Sequence, residues 1–302
     1  VGAKAGQGGA PSSGGGSGER TSQRRSALRG LFLTLPALVW SVLFFALPFG
    51  TMLVWSFFER AGPGSSAASL DNYRRLWEDG AFSGALINSL QMTTAVTVLS
   101  VLLAFPLAYA IATQVAQRHQ RLCLMLAVLP FWTSYVVRSY AWLLVLAPNG
   151  VVNQALLDLG LIAEPLVLSF NAGATLVGFV HFFVMLCTLT IYSSLVRLDP
   201  KLLLAAADLG ASHWQAFWRV TLPLAAPGVA SGAFLTFVIT IGDFVTPQIL
   251  GGSNDLLLPQ IVLLQISRRG DIPMAAALSV AIMLCVSVAY LLLARWLTGR
   301  RT

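Results

Sequence analysis

The chain has 302 residues, 56% of them hydrophobic and only 10% charged, and a formal net charge of +7. Soluble domains carry about 25% charged residues, so this sequence cannot coat an ordinary aqueous surface, and most of its exterior must face lipid or other protein. Its positive charge forms no basic stripe interleaved with aromatics, which excludes a nucleic-acid reader; it gathers at the ends of apolar segments, where Lys and Arg orient a membrane protein.

Residues 1–30 are Gly/Ser/Ala-rich as far as Gly18 and then carry Arg20, Arg24, Arg25 and Arg29. Such a segment buries no core, and it reads as a disordered tail ending in a basic collar. The apolar stretch from Leu31 to Phe58 is too long for the roughly 7–15-residue core of a cleaved signal and is expected to be a signal anchor. A membrane span needs about 20 apolar residues. Six segments qualify: Leu31–Phe57, Leu86–Thr113, Leu122–Leu146, Ala174–Leu195, Val229–Leu250 and Ala275–Leu297. The expected fold is therefore an all-α membrane protein of six transmembrane helices, occupying residues 31–297, with a short basic tail at 298–302.

Six spans place both termini on one side, and charge selects which. Lys4, Arg20, Arg24, Arg25, Arg29, Arg118, Arg121, Arg197, Lys201, Arg219, Arg295, Arg300 and Arg301 share the side of the termini. Only Arg60, Arg74, Arg75, Arg268 and Arg269 lie opposite. Thirteen against five assigns both termini to the cytoplasm. Two short helices are expected in the outward loops. One follows Asp71, a candidate cap, and the other is formed by the amphipathic stretch after Pro148-Asn149-Gly150.

The cytoplasmic loop between spans four and five, residues 196–228, carries the most specific pattern. Asp199 followed by Pro200 is an N-cap with proline at the first helical position. Lys201 to Leu209 are nearly all helix formers, and Gly210 supplies the left-handed residue that ends a helix. Ser212 caps a second short helix through Trp214, Phe217 and Val220, which Pro223 is expected to stop. The first helix presents leucines and alanines with no core of their own to enter; it suits either a groove on another protein or the lipid headgroups.

Ala205-Ala206, then Gly210-Ala211, then Val220 with nine residues between it and the glycine, then Leu222-Pro223, resemble the EAA loop of ABC importer permeases. Leu204 stands where that motif has its leading glutamate, with Asp208 or Arg219 as substitute charges. The stretches PFWTSYVVRSYAW (130–142), IYSSLVRLDPKLLLAAADLGAS (191–212) and GDFVTPQILGG (242–252) are similar to the spermidine/putrescine permease branch, and the long N-terminal tail to its B-type subunit. The resemblance covers nearly all of residues 31–297. It implies type I importer topology in a bacterial inner membrane, with the 200–209 helix docking on an ATPase. It also implies two ATPase subunits that bind ATP and Mg, a second homologous permease and an extracytoplasmic binding protein. The substrate it implies is a polyamine; relatives that carry aminophosphonates, opines or amino-acid derivatives share the motifs.

No energy-converting site lies in the chain itself: its two lysines, Lys4 and Lys201, are not in a GxxxxGK[ST] loop. GxSxG and HExxH are missing, the three histidines are isolated, and Cys123, Cys187 and Cys285 have no metal or redox spacing, so neither an enzyme nor a metal site is expected. The competing class is a stand-alone channel or secondary transporter. Two ionisable residues lie at membrane depth, Arg138 and Asp243, where a charge costs about 2.5–3.5 kcal/mol on insertion scales. Asp243, with Phe244 beside it, either lines the solute pathway or pairs with Arg138 or a partner subunit. Trp132, Tyr135, Tyr140 and Trp142 surround Arg138; their rings suit an ammonium group, the membrane interface or plain core packing. Prolines and glycines, among them Pro48, Pro106, Pro130 and Pro247, are expected to kink several spans.

Overall fold

The computed structural model describes residues 34–58, 68–253 and 255–299; the expected tail at 1–30, Arg60, and the C-terminal Arg300 and Arg301 lie outside the described residues. Among those described, the chain is helical with no strand beyond an isolated bridge between Phe58 and Ala68. The helices are Thr34–Trp55 (α1), Asp71–Glu78 (α2), Gly80–Thr113 (α3), Gln117–Val128 (α4), Tyr135–Leu146 (α5), Val151–Asp158 (α6), Ala172–Leu195 (α7), Pro200–Asp208 (α8), His213–Gly242 (α9), Val245–Leu250 (α10), Leu258–Leu264 (α11) and Ile272–Gly299 (α12). Five of them, α1, α3, α7, α9 and α12, are long and apolar enough to cross a membrane. Helices α4 and α5, bent by 88° at the break between them, together make a sixth candidate span.

Among the described residues, those up to Val54 belong to one unit and those from Trp55 onward to another. Within the second unit α3, α7 and α9 pack against one another as the central layer, and α12, with α11, lies against this layer. Ala104, Ala108, Cys187, Ile191 and Ala225 are buried where the three central helices meet. Spanning helices gain little from hydrophobicity inside lipid, so close approach of small residues supplies the contact. Gly228 and Gly232 of α9 supply it against α7. A Cβ on Gly228 would lie 2.6 Å from the Thr190 carbonyl oxygen, and one on Gly232 would lie 3.4 Å from the Cys187 Cα.

The third and fifth spans are broken helices rather than the single helices the sequence suggested. In the third, Leu129–Trp132 tightens into a 3-10 turn around Pro130, and Thr133 and Ser134 are extended before α5 starts. In the fifth, α9 stops at Gly242, Asp243 is extended, and α10 follows as a separate helix. The start of the fifth span also differs from expectation, because Pro223 does not stop the helix begun at His213. Phe217–Thr221 winds as a π turn in which the Leu222 N–H reaches back to the Phe217 carbonyl. The same device precedes Pro48 in α1, where Val42–Ala46 is a π turn closed from Leu47 to Val42. In both places an i→i−5 bond on the residue before proline accommodates the missing N–H and the helix continues.

Asp71 is not the cap of α2. That position is Leu70, Asp71 sits in the first turn, and Ser69 Oγ accepts the Asp71 N–H at 3.0 Å. Asp79 instead caps α3, accepting the Ala81 N–H at 2.9 Å. Helix α2 is tied to the end of the preceding segment by Asn72 Nδ2, which donates to the Ser56 and Phe58 carbonyls at 3.1 and 2.7 Å. The helix expected after Pro148-Asn149-Gly150 is α6.

Candidate functional site

The two helix breaks adjoin. A cleft of about 520 Å³ lies where they meet, walled by Phe131, Thr133, Tyr135, Arg138, Phe182 and Asp243, with Ile239 and Gly242 of α9 closing it. That volume falls in the range of about 300–1,000 Å³ usual for small-ligand sites. Tyr135 is the first residue of α5, and its hydroxyl donates to Asp243 Oδ2 and also bonds the Thr246 hydroxyl. Asp243 Oδ1 accepts the Val245 N–H at 2.9 Å, and Oδ2 accepts the Thr246 N–H at 3.4 Å. The carboxylate thus caps α10 and fastens the third span to the fifth.

Arg138 is one turn into α5 and 7% exposed. It does not pair with Asp243; among the described residues neither takes part in an ion pair. Its Nη atoms donate to the Pro130 and Thr133 carbonyls, both at 3.4 Å, so the guanidinium folds back over the 3-10 turn. Its Nε has no hydrogen-bond partner. The Phe182 ring lies 4.6 Å from its Cζ and the Tyr135 ring 5.7 Å. Phe182 is fixed by stacking on Phe131 at 5.0 Å between centroids and by the edge of Tyr135 at 5.2 Å.

Of the pathway candidates, the structure brings Asp243, Tyr135 and Arg138 together. Trp132 stands apart: it is 89% exposed and borders a separate apolar hollow with Met125, Val128 and Leu129. Phe244 is 43% exposed and does not line the cleft. Trp142 faces α7, where its Nε1 donates to His181 Nδ1 at 3.0 Å. Thr246 and Phe182 escaped the reading of the sequence. Thr246 carries a local signal, since a threonine three residues after a break-point aspartate is where a capped first turn returns; Phe182 carries none.

The second candidate region is the loop from Asp199 to Pro223. Asp199 Oδ1 accepts the Lys201 N–H at 3.0 Å, with Pro200 opening α8. The helix closes by a Schellman motif: Ala211 N–H to Ala206 O at 3.0 Å and Gly210 N–H to Ala207 O at 2.9 Å, with Gly210 at φ +81°. Ser212 and Gln215 then form a reciprocal capping box that starts α9. Only Leu209 to Ser212 separate α8 from the long helix. Phe217 clamps the base of α9 against α3 through edge contacts with Phe105 and Tyr109 at 5.6 and 6.0 Å. Val220 and Leu222 are half-buried on that helix, and Pro223 is exposed. On α8 itself Leu204, Ala205 and Asp208 are exposed, Ala206 is half-buried, and Leu209 just beyond is 89% exposed. An apolar helix stiffened at both ends and held this close to a spanning helix has the form of a docking element.

A family described as "Binding-protein-dependent transport system inner membrane component" matches residues 121–301. The chain is 34% identical over 263 residues to the spermidine/putrescine transport system permease protein PotB of Escherichia coli (strain K12), covering 86% of this chain and 94% of that one. It is 36% identical over 233 residues to the inner membrane ABC transporter permease protein YdcU of the same organism, covering 73% of each. Among solved structures, a chain of a bacterial alginate ABC transporter, crystallised with an alginate pentasaccharide-bound periplasmic protein, shares the fold. The TM-score is 0.72 at 18% identity, over 90% of this chain and 94% of that one.

Proposed function

Because the chain belongs to the family of binding-protein-dependent transport system inner membrane components, we propose that it admits a polyamine such as putrescine or spermidine through the cleft at the two helix breaks. It is a multi-pass inner-membrane permease subunit of an ABC importer, not an enzyme. The observation that carries the coupling half of this reading is α8, capped at Asp199, ended at Gly210 and rooted within a few residues on α9. The site half rests on Asp243, a part-exposed carboxylate in a cleft with aromatic walls, and on the PotB relative. An ammonium group gains from both charge and ring faces.

In this reading two ATPase subunits, holding ATP and Mg, close on α8 from the cytoplasm, where both chain termini also lie. Leu204, Leu209 and the alanines of α8 meet them by shape, Leu204 replacing the charge of the motif's glutamate. The pull passes through Gly210 and Ser212 into α9, which ends at Gly242 beside Asp243. A second permease completes the pathway, and an extracytoplasmic binding protein delivers the solute. The domain plan follows: a coupling loop at 196–228 within a six-span body at 31–297, with short tails outside it.

The test is recovery of partners from native membranes in mild detergent, followed by uptake of labelled putrescine and spermidine in liposomes. An ATPase and a second permease with ATP-dependent polyamine uptake support the whole proposal. The same partners without polyamine uptake retain the importer and overturn the substrate; uptake by this chain alone overturns the coupling. For the site, Asp243→Asn removes the charge; its one remaining oxygen can still accept an α10 N–H while its NH2 donates to the Tyr135 hydroxyl. We expect an assembled complex with KM for putrescine raised at least about tenfold, the 1.4 kcal/mol step. Unchanged transport kinetics would remove Asp243 from the pathway.

A further inference from the structure

Asp243 is engaged from two sides. Its Oδ1 accepts the Val245 N–H and its Oδ2 the Thr246 N–H, both from the backbone that starts α10. From the third span, the Tyr135 hydroxyl donates to Oδ2. Of these three partners Tyr135 alone walls the cleft. An ionised carboxylate only accepts hydrogen bonds, so the phenol gives its one proton to Asp243 and the Thr246 hydroxyl donates to the phenol oxygen. The ring is placed independently of its hydroxyl: Phe182 meets it edge-on at 5.2 Å between centroids, and the Arg138 Cζ lies 5.7 Å from its centre.

A cation arriving through the cleft therefore meets a carboxylate already bonded, on the cleft side, to a neutral donor. Hydrogen bonds from a charged donor are about twice as strong as neutral ones, so an ammonium can take the place of Tyr135 while the α10 amides hold the carboxylate still. The displaced phenol stays close, because the Thr246 hydroxyl accepts as well as donates and keeps it beside the acid. A site that passes its solute on must also bind weakly enough to let it leave. We infer that Tyr135 is a built-in competitor for the solute's ammonium group at Asp243, holding affinity down and returning to the carboxylate as the solute departs. The inference rests on reading the cleft as the solute pathway. It gives Asp243 the binding and Tyr135 the release.

Binding of labelled putrescine is measured on the assembled importer in nanodiscs without added binding protein, and uptake on the same preparation in liposomes with binding protein and ATP. Tyr135→Phe keeps the ring and its contacts and removes only the competing O–H. We expect its Kd to fall at least about tenfold, with KM and the maximal uptake rate falling together. A bond that merely holds the third span on the fifth predicts looser binding, so an unchanged or raised Kd overturns the inference. 3-Fluorotyrosine in place of Tyr135 is a stronger donor of nearly the same shape and should raise Kd at least about twofold. If Tyr135→Phe does not assemble, that variant decides, and an unchanged or lowered Kd overturns the inference. Asp243→Asn isolates the reading beneath it: weakened binding there without tightening in Tyr135→Phe overturns the competitor alone. Unchanged binding in Asp243→Asn, or no saturable putrescine binding by the wild type, overturns both.

Discussion

Gly228→Val will yield no assembled permease, whereas Gly84→Ala will leave recovery unchanged. The added Cβ at Gly228 meets the Thr190 carbonyl oxygen at 2.6 Å and the Ser194 Cβ at 2.8 Å. The first is helical backbone of α7, so no rotamer change relieves it, and the two central helices must separate. Overpacking a core costs about 1–3 kcal/mol when side chains can shift, and more is expected where backbone is the obstacle. Separation also opens the contact of Ala225 with Ile191 and Cys187. At Gly84, by contrast, a Cβ meets nothing within 4 Å, and alanine is the better helix former. Detergent-solubilised yield by size-exclusion chromatography and the thermal midpoint of whatever is recovered check both. A Gly228→Val protein with wild-type yield and midpoint would show that α7 and α9 do not pack this closely.

How much of this was legible beforehand follows the range of the interactions. Each apolar segment became helix, and the ends of α8 and the start of α9 fell where Asp199, Gly210 and Ser212 placed them. A cap is a bond between residues two or three apart, so a one-dimensional reading contains it. A proline's effect depends on more than its own position. Pro223 was expected to stop a helix, but a π turn moves the hydrogen-bonding register one residue before it, and nothing in Phe217–Thr221 announces that turn. At Pro130 the reverse holds: the chain does break, and Thr133-Ser134 turns the span through a near right angle. The clasp of Tyr135, Asp243 and Thr246 joins residues more than 100 positions apart. Residue type marked Asp243 and Arg138 as costly in a membrane, but whether they meet is decided by the two breaks. Trp132, only three residues from Tyr135, stays outside the cleft although its neighbours Phe131 and Thr133 line it.

Those local signals are also where the coupling proposal is most exposed to test. Gly210→Pro will assemble with its partners, hydrolyse ATP, and lose at least about tenfold in uptake per ATP, a change of about 1.4 kcal/mol or more. Proline fixes φ near −65°, and Gly210 stands at φ +81° with its N–H on the Ala207 carbonyl. The substitution therefore removes the left-handed exit and one of the two bonds that close α8. Assembly survives because Gly210 is exposed and a Cβ there meets nothing within 4 Å. What changes is the direction in which α8 leaves α9, and with it the position of Leu204 and Leu209. Phe217 holds the base of α9 on α3, so the spanning helix cannot follow the displaced element. Gly210→Ala separates direction from mere stability: it keeps the N–H and asks alanine to adopt a left-handed conformation, a cost of about 1–2 kcal/mol, and should retain most of the uptake. Proteoliposome uptake and phosphate release, measured on the same preparation, give the ratio. Full ATP-linked uptake by Gly210→Pro would mean that α8 does not carry the stroke, and the docking element would have to be sought in the loop between α3 and α4.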